Sequence, residues 1–226
     1  MRLPDVAVML NTQYRMHEHI MNFSNQKFYG SELKADVSVK GTLLSNDPEK
    51  HLLHQPFDFI DTAGCGFNEI LNQESLSIAN PEEAQLLIKH LKLLLDQYKV
   101  SEHQKESLSI GIISPYKEQV QHLANLFSED TELKENGAKI SVKTIDGFQG
   151  QERDIIYISL ARSNDTGEIG FLSDTRRMNV ALTRAKRKLV VIGDSATIGN
   201  HPFYKSFLDY AESIGAYRSA WEFVSI

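Results

Sequence analysis

Short strand-like segments, several of them apolar nearly throughout, alternate with longer amphipathic segments along this chain, and that alternation restricts the folds available to it. The apolar segments are FDFIDT at 57–62, SLSIGIIS at 107–114, KISVKTI at 139–145, DIIYISLA at 154–161 and KLVVIGD at 188–194. Strands that are apolar on both faces are typical of parallel sheets covered by helices on both sides. The sequence therefore predicts an α/β fold in which helices sandwich a parallel sheet.

Four amphipathic segments have the helical spacing of apolar residues, at 79–98, 115–127, 174–185 and 202–215. In the first, Asn80 predicts the N-cap, Pro81 the first helical position, and Glu83 the second half of a capping box. Asp174 predicts the cap of the third segment. Residues 30–56 show no convincing hydrophobic period and predict an irregular surface segment within a single domain that spans residues 1–226.

Composition excludes several classes of protein. No apolar run approaches the roughly 18 residues of a membrane span, so we expect no membrane partner. The apolar stretch at 6–10 is too short for the core of a signal peptide. The single cysteine, Cys65, excludes an internal disulfide and is typical of a reducing compartment, which predicts a cytoplasmic protein.

Averaged over the whole chain, the net charge of −6 argues against binding to nucleic acid. The average is a poor guide here, because the charge is unevenly distributed. Residues 176–188, RRMNVALTRAKRK, carry six basic side chains and no acidic one. This stretch suits contacts with phosphates. A solvated helix end, where cations favour the helix dipole, explains it equally well, so charge alone leaves both interpretations open.

Tyr14 and Arg15 stand directly before a predicted helix. An aromatic ring can stack on a base while a guanidinium binds phosphate oxygens in a bidentate fork, so this pair suits a nucleotide. The alternative is a surface tyrosine and an arginine that caps the helix. His17 and His19, two residues apart, would point to different faces of a helix, so we expect no metal site there.

A second cluster of polar residues lies in VKTIDGFQGQERDIIYISLARSN, at 142–164. Gly147 and Gly150 allow a backbone to approach a ligand closely. We expect one loop at the end of a buried strand, the place where open α/β sheets bind ligands, to carry the polar side chains. These are Asp146, Gln149, Glu152 and Asp154. A polar, hairpin-like connection without function is the alternative.

The phosphate-binding motifs of complete nucleotide sites are absent from the sequence. It contains no GxxxxGK[S/T] loop and no GxGxxG loop, which argues against a dinucleotide-dependent oxidoreductase. No pair of acids follows an apolar strand in the manner of a Mg²⁺-binding segment. The chain therefore supplies only part of any nucleotide site.

Taken in order, four segments resemble motifs IV, V and VI of superfamily 1 (1B) helicases. They are QYRMH with the apolar positions that follow it, IGIISPYKEQV, TIDGFQGQERDIIYISLARSN, and GFLSDTRRMNVALTRAKRKLVVIGD. The sequence is most similar to the branch that contains the nonsense-mediated-decay RNA helicase and the immunoglobulin-mu-binding helicase. The resemblance covers residues 11–194 and concerns only the second, C-terminal RecA-like domain, a P-loop NTPase-type fold here without its own phosphate loop.

The resemblance implies a motor domain of an ATP-dependent helicase or translocase. In this family ATP binds between two RecA-like domains, and matching positions make Arg15 and Arg184 the arginine fingers on the γ-phosphate. Tyr14 would stack on the adenine and Glu152 would contact the ribose, with Gly150 shaping the loop beside it. A catalytically inactive RecA-like binding or regulatory module is the alternative, and it would not need to keep these residues together.

The resemblance also implies two partners. One is the first RecA-like domain of the same protein, which would hold the phosphate loop and the Mg²⁺ ligands, so the 226-residue chain alone is expected not to hydrolyse ATP. The other is single-stranded DNA or RNA, bound at the opposite edge of the sheet. The residues implied there are Ser114, Pro115, Tyr116, Thr144, Arg162, Ser163 and Asn164.

Overall fold

The computed structural model describes residues 10–99 and 107–224 of the chain. The strands are β1 (Thr12–Gln13), β2 (Lys34–Ala35), β3 (Phe57–Asp61), β4 (Ile70–Leu71), β5 (Ile78–Ala79), β6 (Ser109–Ser114), β7 (Lys139–Thr144), β8 (Arg153–Ser159), β9 (Ala185–Gly193) and β10 (Tyr217–Ser219). The helices are α1 (Glu18–Phe28), α2 (His51–His54), α3 (Pro81–Lys99), α4 (Lys117–Glu129), α5 (Thr131–Glu135), α6 (Thr175–Leu182), α7 (Ser195–Ile198), α8 (Pro202–Ser213) and α9 (Trp221–Val224). Two short 3₁₀ turns lie at Asp146–Phe148 and Gly170–Ser173.

Six of the strands form one sheet in the order β10-β3-β9-β8-β6-β7, and every neighbouring pair in it is parallel. Two small accessories lie outside this sheet, a parallel pair of β1 with β2 and an antiparallel pair of β4 with β5. All five apolar segments of the sequence form strands of the main sheet. The predicted α/β fold class is therefore confirmed.

Helices cover both faces of the sheet. On β8, Ile155 and Tyr157 point into a core with α3 and α9, whereas Ile156 and Ile158 point into a core with α1, α6 and α8. All four side chains are fully buried. This two-sided burial is why β8 is apolar at successive positions rather than alternating. Within the described residues, no helix is both long and apolar enough to cross a membrane.

The predicted helix caps are correct except in one respect. The Asn80 side-chain oxygen accepts from the Glu83 amide at 3.0 Å, and the Asp174 carboxylate accepts from the Arg177 amide at 3.2 Å. The second half of the capping box is wrong, because the Glu83 carboxylate does not turn back to its own helix end. It binds the chain after β8 instead, at Ser159 and Ala161.

The segment at 30–56 is mostly irregular, and it also contains β2 and α2. Four of its residues, Leu44, Ser45, Leu53 and Pro56, are buried, so part of the segment packs onto the domain. The apolar stretch at 6–10 lies outside the described residues except for Leu10, which is exposed.

The segment between β7 and β8 crosses the sheet from one edge to the other. The prediction that its polar residues lie on one loop at the end of a strand is therefore wrong. Because β7 and β8 are both parallel to β6, residues 145–152 must run from the carboxyl edge of the sheet to its amino edge. Asp146 therefore lies near the carboxyl edge, and Glu152 lies at the amino edge. The acidic pattern in the sequence could not reveal this, since a hairpin and a crossover of this length carry similar turn residues.

The crossing brings the buried Phe148 ring against β6 at Gly111. A Cβ atom on Gly111 would lie 2.4 Å from Phe148 Cζ and 2.7 Å from Ile156 Cδ1, distances that side chains essentially never adopt. Glycine at this strand position therefore leaves room for the ring that secures the crossing.

Gly111→Ala should lower the free energy of unfolding by about 1–3 kcal/mol, the usual cost of overpacking a core. Urea or thermal unfolding measures it. Adding Phe148→Leu should recover part of the loss by making room. Gly41→Ala is the matched control, because a Cβ atom at Gly41 would meet no other atom within 4 Å, and it should change stability by less than about 0.5 kcal/mol. A Gly111→Ala protein as stable as the parent would contradict this packing.

Candidate functional site

The amino edge of the sheet brings together residues that are far apart in the sequence. β8 begins at Arg153 and β9 at Ala185, and these two residues face each other in the parallel pairing. The Arg153 amide donates to the Arg184 carbonyl at 3.1 Å. Glu152 and Arg184, which precede the two strands, therefore lie at the same edge.

A turn held by Gln13 adds Arg15 to this edge. The side-chain oxygen of Gln13 accepts from the Arg15 and Met16 amides at 2.8 and 2.7 Å, and its nitrogen donates to the Met16 carbonyl at 2.8 Å. The His17 amide then donates to the Lys186 carbonyl at 2.9 Å, which ties the turn to β9. Sequence reasoning missed Gln13, whose signal was an amide side chain directly before the Tyr–Arg pair.

Glu152 links the two segments electrostatically. Its carboxylate accepts from Arg15 Nε at 2.5 Å and pairs with Lys186 Nζ at 2.9 Å. The hydrogen bond from Lys186 is the largest cause that lowers the pKa of Glu152; Arg15 lowers it further, and partial burial opposes both. Arg15 Nη1 also donates to the Thr183 carbonyl at 3.2 Å. Glu152 is therefore held as a carboxylate that positions Arg15.

Arg184 lies in this cluster without a carboxylate of its own. Its Nη1 makes one long contact with the Gln151 carbonyl at 3.5 Å. Its Nε is buried and has no hydrogen-bond partner among residues 10–99 and 107–224. Burial is the main cause that lowers the pKa of Arg184, and the nearby Arg15 charge lowers it further. Two guanidinium groups thus share one edge, where an anion would stabilise both.

The basic stretch at 176–188 does not form one cationic surface. Four of its six cations pair with acids, as Arg177–Asp146, Lys186–Glu152, Arg187–Asp154 and Lys188–Asp58. Lys188 is fully buried beside Asp58, in a structural role. Arg176 is exposed near the opposite edge, at the start of α6. Arg184 is therefore the member of the stretch available to a ligand at the amino edge.

Tyr14 and Gly150 flank this cluster along the chain. Tyr14 is exposed to 69 %, which leaves its ring accessible to a planar ligand. Gly150 has a φ of +77° in the turn that leads into Glu152, and a Cβ there would meet no atom within 4 Å. Glycine is therefore favoured at this position by the backbone conformation and not by a lack of room for a side chain.

The seven residues implied in strand binding gather at the carboxyl edge of the sheet, opposite the Arg15 cluster. Ser114 ends β6, with Pro115 and Tyr116 directly after it. Thr144 ends β7, and the Arg162–Asn164 segment follows β8. Because all these strands are parallel, their ends share one edge.

Most of the side chains at the carboxyl edge are engaged within the protein. Arg162 is 4 % exposed, with its Nε 3.1 Å from Glu69, and Glu69 also accepts from the Ser163 amide and from Asn164 Nδ2. The Ser163 hydroxyl donates to Asp194 at 2.8 Å. The roles of Glu69 and Asp194 could not be predicted from the sequence, because neither residue lies near this segment in the chain.

The buried hydroxyl of Ser114 likewise accepts from the Tyr116 amide at 3.4 Å, and Thr144 Oγ1 accepts from the Gly147 amide at 3.3 Å. Tyr116 is 2 % exposed, and its hydroxyl donates to the Ile169 carbonyl at 3.2 Å. These side chains shape the loops: Ser114, Tyr116 and Arg162 are buried, whereas Thr144, Ser163 and Asn164 are half-buried.

A buried glutamate supports this edge from below. Glu83 Oε1 accepts from Ser159 Oγ at 2.5 Å and from the Ala161 amide at 3.0 Å. Ala161 has a φ of +61°, a strained value for a residue with a side chain. The Glu83 contacts therefore hold the turn from which Arg162 leaves the sheet.

A family model described as an AAA domain matches residues 2–196 of the chain. The chain belongs to this family. DNA-binding protein SMUBP-2 of Rattus norvegicus is 37 % identical over 222 residues, which cover 97 % of this chain and 21 % of that protein. An uncharacterized ATP-dependent helicase of Methanocaldococcus jannaschii is 37 % identical over 94 % of this chain and 30 % of its own length. The DNA polymerase alpha-associated DNA helicase A of Saccharomyces cerevisiae is 36 % identical, with shares of 92 % and 31 %.

These relatives confirm the resemblance to helicases found in the motifs. This AAA domain spans between 21 % and 31 % of the length of the three relatives. Within the part of the chain that the structure describes, no group of three His, Cys, Asp or Glu side chains could hold a metal ion.

The buried Glu83 predicts a pH-dependent stability. Burial raises the pKa of Glu83 to about 7 from an ordinary value of 4.5. As pH rises, Glu83 therefore loses its proton at a lower pH in the unfolded chain than in the folded protein. The contribution of Glu83 to the free energy of unfolding falls as pH rises from about 4.5 to about 7. Glu83→Gln keeps an oxygen acceptor but cannot ionise. Relative to the parent, its free energy of unfolding should rise by about 2–3 kcal/mol between pH 5 and pH 8.

Urea unfolding across this pH range measures that difference. Glu82→Gln is the control, because Glu82 is an exposed carboxyl in the same helical turn. Glu83 would not be the titrating group if Glu82→Gln gained as much stability relative to the parent over this pH range. The same would follow if the difference in free energy of unfolding between Glu83→Gln and the parent did not change with pH.

Proposed function

We propose that this AAA domain is the second RecA-like motor domain of an ATP-dependent helicase or translocase. The observation that carries the proposal is the pair of guanidinium groups at the amino edge. Arg15 pairs with the Glu152 carboxylate, and Arg184 lies in the same cluster with no ion-pair partner among the described residues. Helicase names among the relatives support the same interpretation.

In this proposal the amino edge faces ATP held mainly by the first RecA-like domain of the same protein. The phosphate loop and the Mg²⁺ ligands belong to that domain, because the sequence contains no phosphate loop. Coverage of under a third of each relative is consistent with a further domain. Tyr14 stacks on the adenine, Glu152 contacts the ribose, and Gly150 shapes the turn between them.

Arg15 and Arg184 act on the γ-phosphate. Negative charge develops on its oxygens as the phosphoryl group transfers, and a preorganised cation stabilises that charge. Before ATP arrives, Glu152 and the Thr183 carbonyl hold Arg15 in place, which limits the conformational freedom lost when the site closes. Because the fingers and the phosphate loop lie on different domains, hydrolysis depends on domain closure.

Single-stranded DNA or RNA is the proposed polymer, at the carboxyl edge. The engaged side chains of Arg162, Ser163 and Asn164 leave backbone groups to contact phosphates, which suits binding without sequence preference. A cytoplasmic location remains a prediction that rests on the single cysteine. A catalytically inactive binding module is the competing proposal, and the grouping of Arg15, Glu152 and Arg184 favours the motor.

In the complete protein, Arg15→Ala and Arg184→Ala should each lower kcat for ATP hydrolysis about 100-fold or more, as loss of an arginine finger does. ATP affinity should change much less, because the fingers act chiefly in the transition state. Lysine at either position should restore little activity, since a point charge cannot replace the bidentate fork. Steady-state hydrolysis with single-stranded DNA or RNA gives the rates.

Arg218→Ala is the matched control. Arg218 has a side-chain exposure of 39 %, against 37 % for Arg15, and it also lies near a carboxylate, but on the outermost strand β10. Its replacement should leave kcat unchanged. Melting temperatures on the same preparations separate catalytic loss from unfolding. A stable double variant of Arg15 and Arg184 that turns over ATP at the parent rate would refute the finger assignment.

A further inference from the structure

Phe171 is an exposed aromatic residue at the carboxyl edge that the proposed function does not use. Its ring is 61 % exposed, and it leans on the buried Tyr116 ring with the centroids 5.7 Å apart. The exposed face of a phenyl ring is accessible to a planar ligand. Its position in the 3₁₀ turn Gly170–Ser173 places it beside the segments that follow β6 and β8.

The turn that carries Phe171 is rigidly supported. Gly170 has a φ of +51°, and a Cβ there would lie 3.0 Å from both Tyr116 Oη and Arg162 Nη1. The backbone of the turn thus rests directly on those two side chains, and Arg162 is itself held by Glu69. The next residue, Leu172, is buried and secures the other side.

This support means that the ring is presented in a fixed place. A rigid aromatic side chain loses little conformational freedom when it binds, so its contact area converts efficiently into affinity.

Charged side chains of both signs, rather than apolar ones, surround Phe171 along the chain. The cations are Lys117, which directly follows Tyr116, and Arg176 in the first turn of α6, and the exposed acids Glu168 and Asp174 lie on either side of the Phe171 turn. An aromatic platform flanked by cations is the arrangement with which proteins bind single strands, the ring stacking on a base while the cations follow the phosphates.

We propose that Phe171 is a stacking platform for one base of a single-stranded nucleic acid that crosses the carboxyl edge. The inference rests on the proposed function and adds a base contact to the phosphate contacts that backbone groups make in that proposal. Stacking on a π face tolerates every base, so the contact strengthens binding without selecting sequence.

The complete protein tests this with a short single strand of mixed sequence and with the same backbone carrying abasic sites, measured by fluorescence anisotropy. Phe171→Ala should raise Kd for the mixed strand about tenfold, within the range for loss of one stacked base. Phe171→Trp should restore binding. The slope of log Kd against log salt should stay that of the parent, because no phosphate contact is lost. On the abasic strand, the parent and Phe171→Ala should bind equally.

Trp221→Ala is the control, since Trp221 is an aromatic residue exposed to 54 % beside the outermost strand β10. It should bind both strands as the parent does. If the parent binds the single strand and hydrolyses ATP, a Phe171→Ala protein that binds the strand with the parent's affinity would overturn the stacking role and leave the proposed function intact. A loss that persists on the abasic strand would also overturn it and would identify Phe171 as a contact with another part of the protein. A parent that binds no single strand would overturn both the stacking role and the proposed function.

Discussion

The parallel pairing of β8 with β9 is the interaction on which the amino-edge cluster depends. Its register sets Arg153 opposite Ala185, so the residues before them, Glu152 and Arg184, become neighbours. The register shifts by one residue between Arg153 and Ile155, and the buried pairs that begin with Ile155 and Lys188 hold the two strands together beyond this irregularity. The position of the charged cluster therefore depends on the hydrophobic packing of the strands and on the irregularity at their start.

The two edges of the sheet use charge in opposite ways. At the amino edge, Glu152 balances Arg15 and Lys186, and Arg184 remains without a carboxylate among the described residues. At the carboxyl edge, Glu69 neutralises the buried Arg162. An anion would stabilise the first edge, whereas the second presents the exposed Phe171 ring. This division agrees with ATP at one edge and a single strand at the other.

Several expectations from the sequence hold because they rest on local rules. The apolar strands, the Asn80 and Asp174 caps and the parallel sheet follow from periodicity and capping chemistry. Two others were wrong for a common reason. The Glu83 carboxylate leaves its helix for Ser159 and Ala161, and residues 145–152 cross the sheet instead of forming one loop. Both depend on partners that are distant in sequence.

The sequence by itself determined the layered α/β architecture, because the free energy of burying continuous apolar strands allows few other arrangements. Its motifs also pointed to Arg15, Glu152 and Arg184 through their resemblance to helicases. Only the tertiary structure decided which charges are neutralised. It pairs Arg162 with Glu69 and leaves Arg184 without a carboxylate, since electrostatic interactions depend on distance and burial in space, which spacing along the chain does not specify.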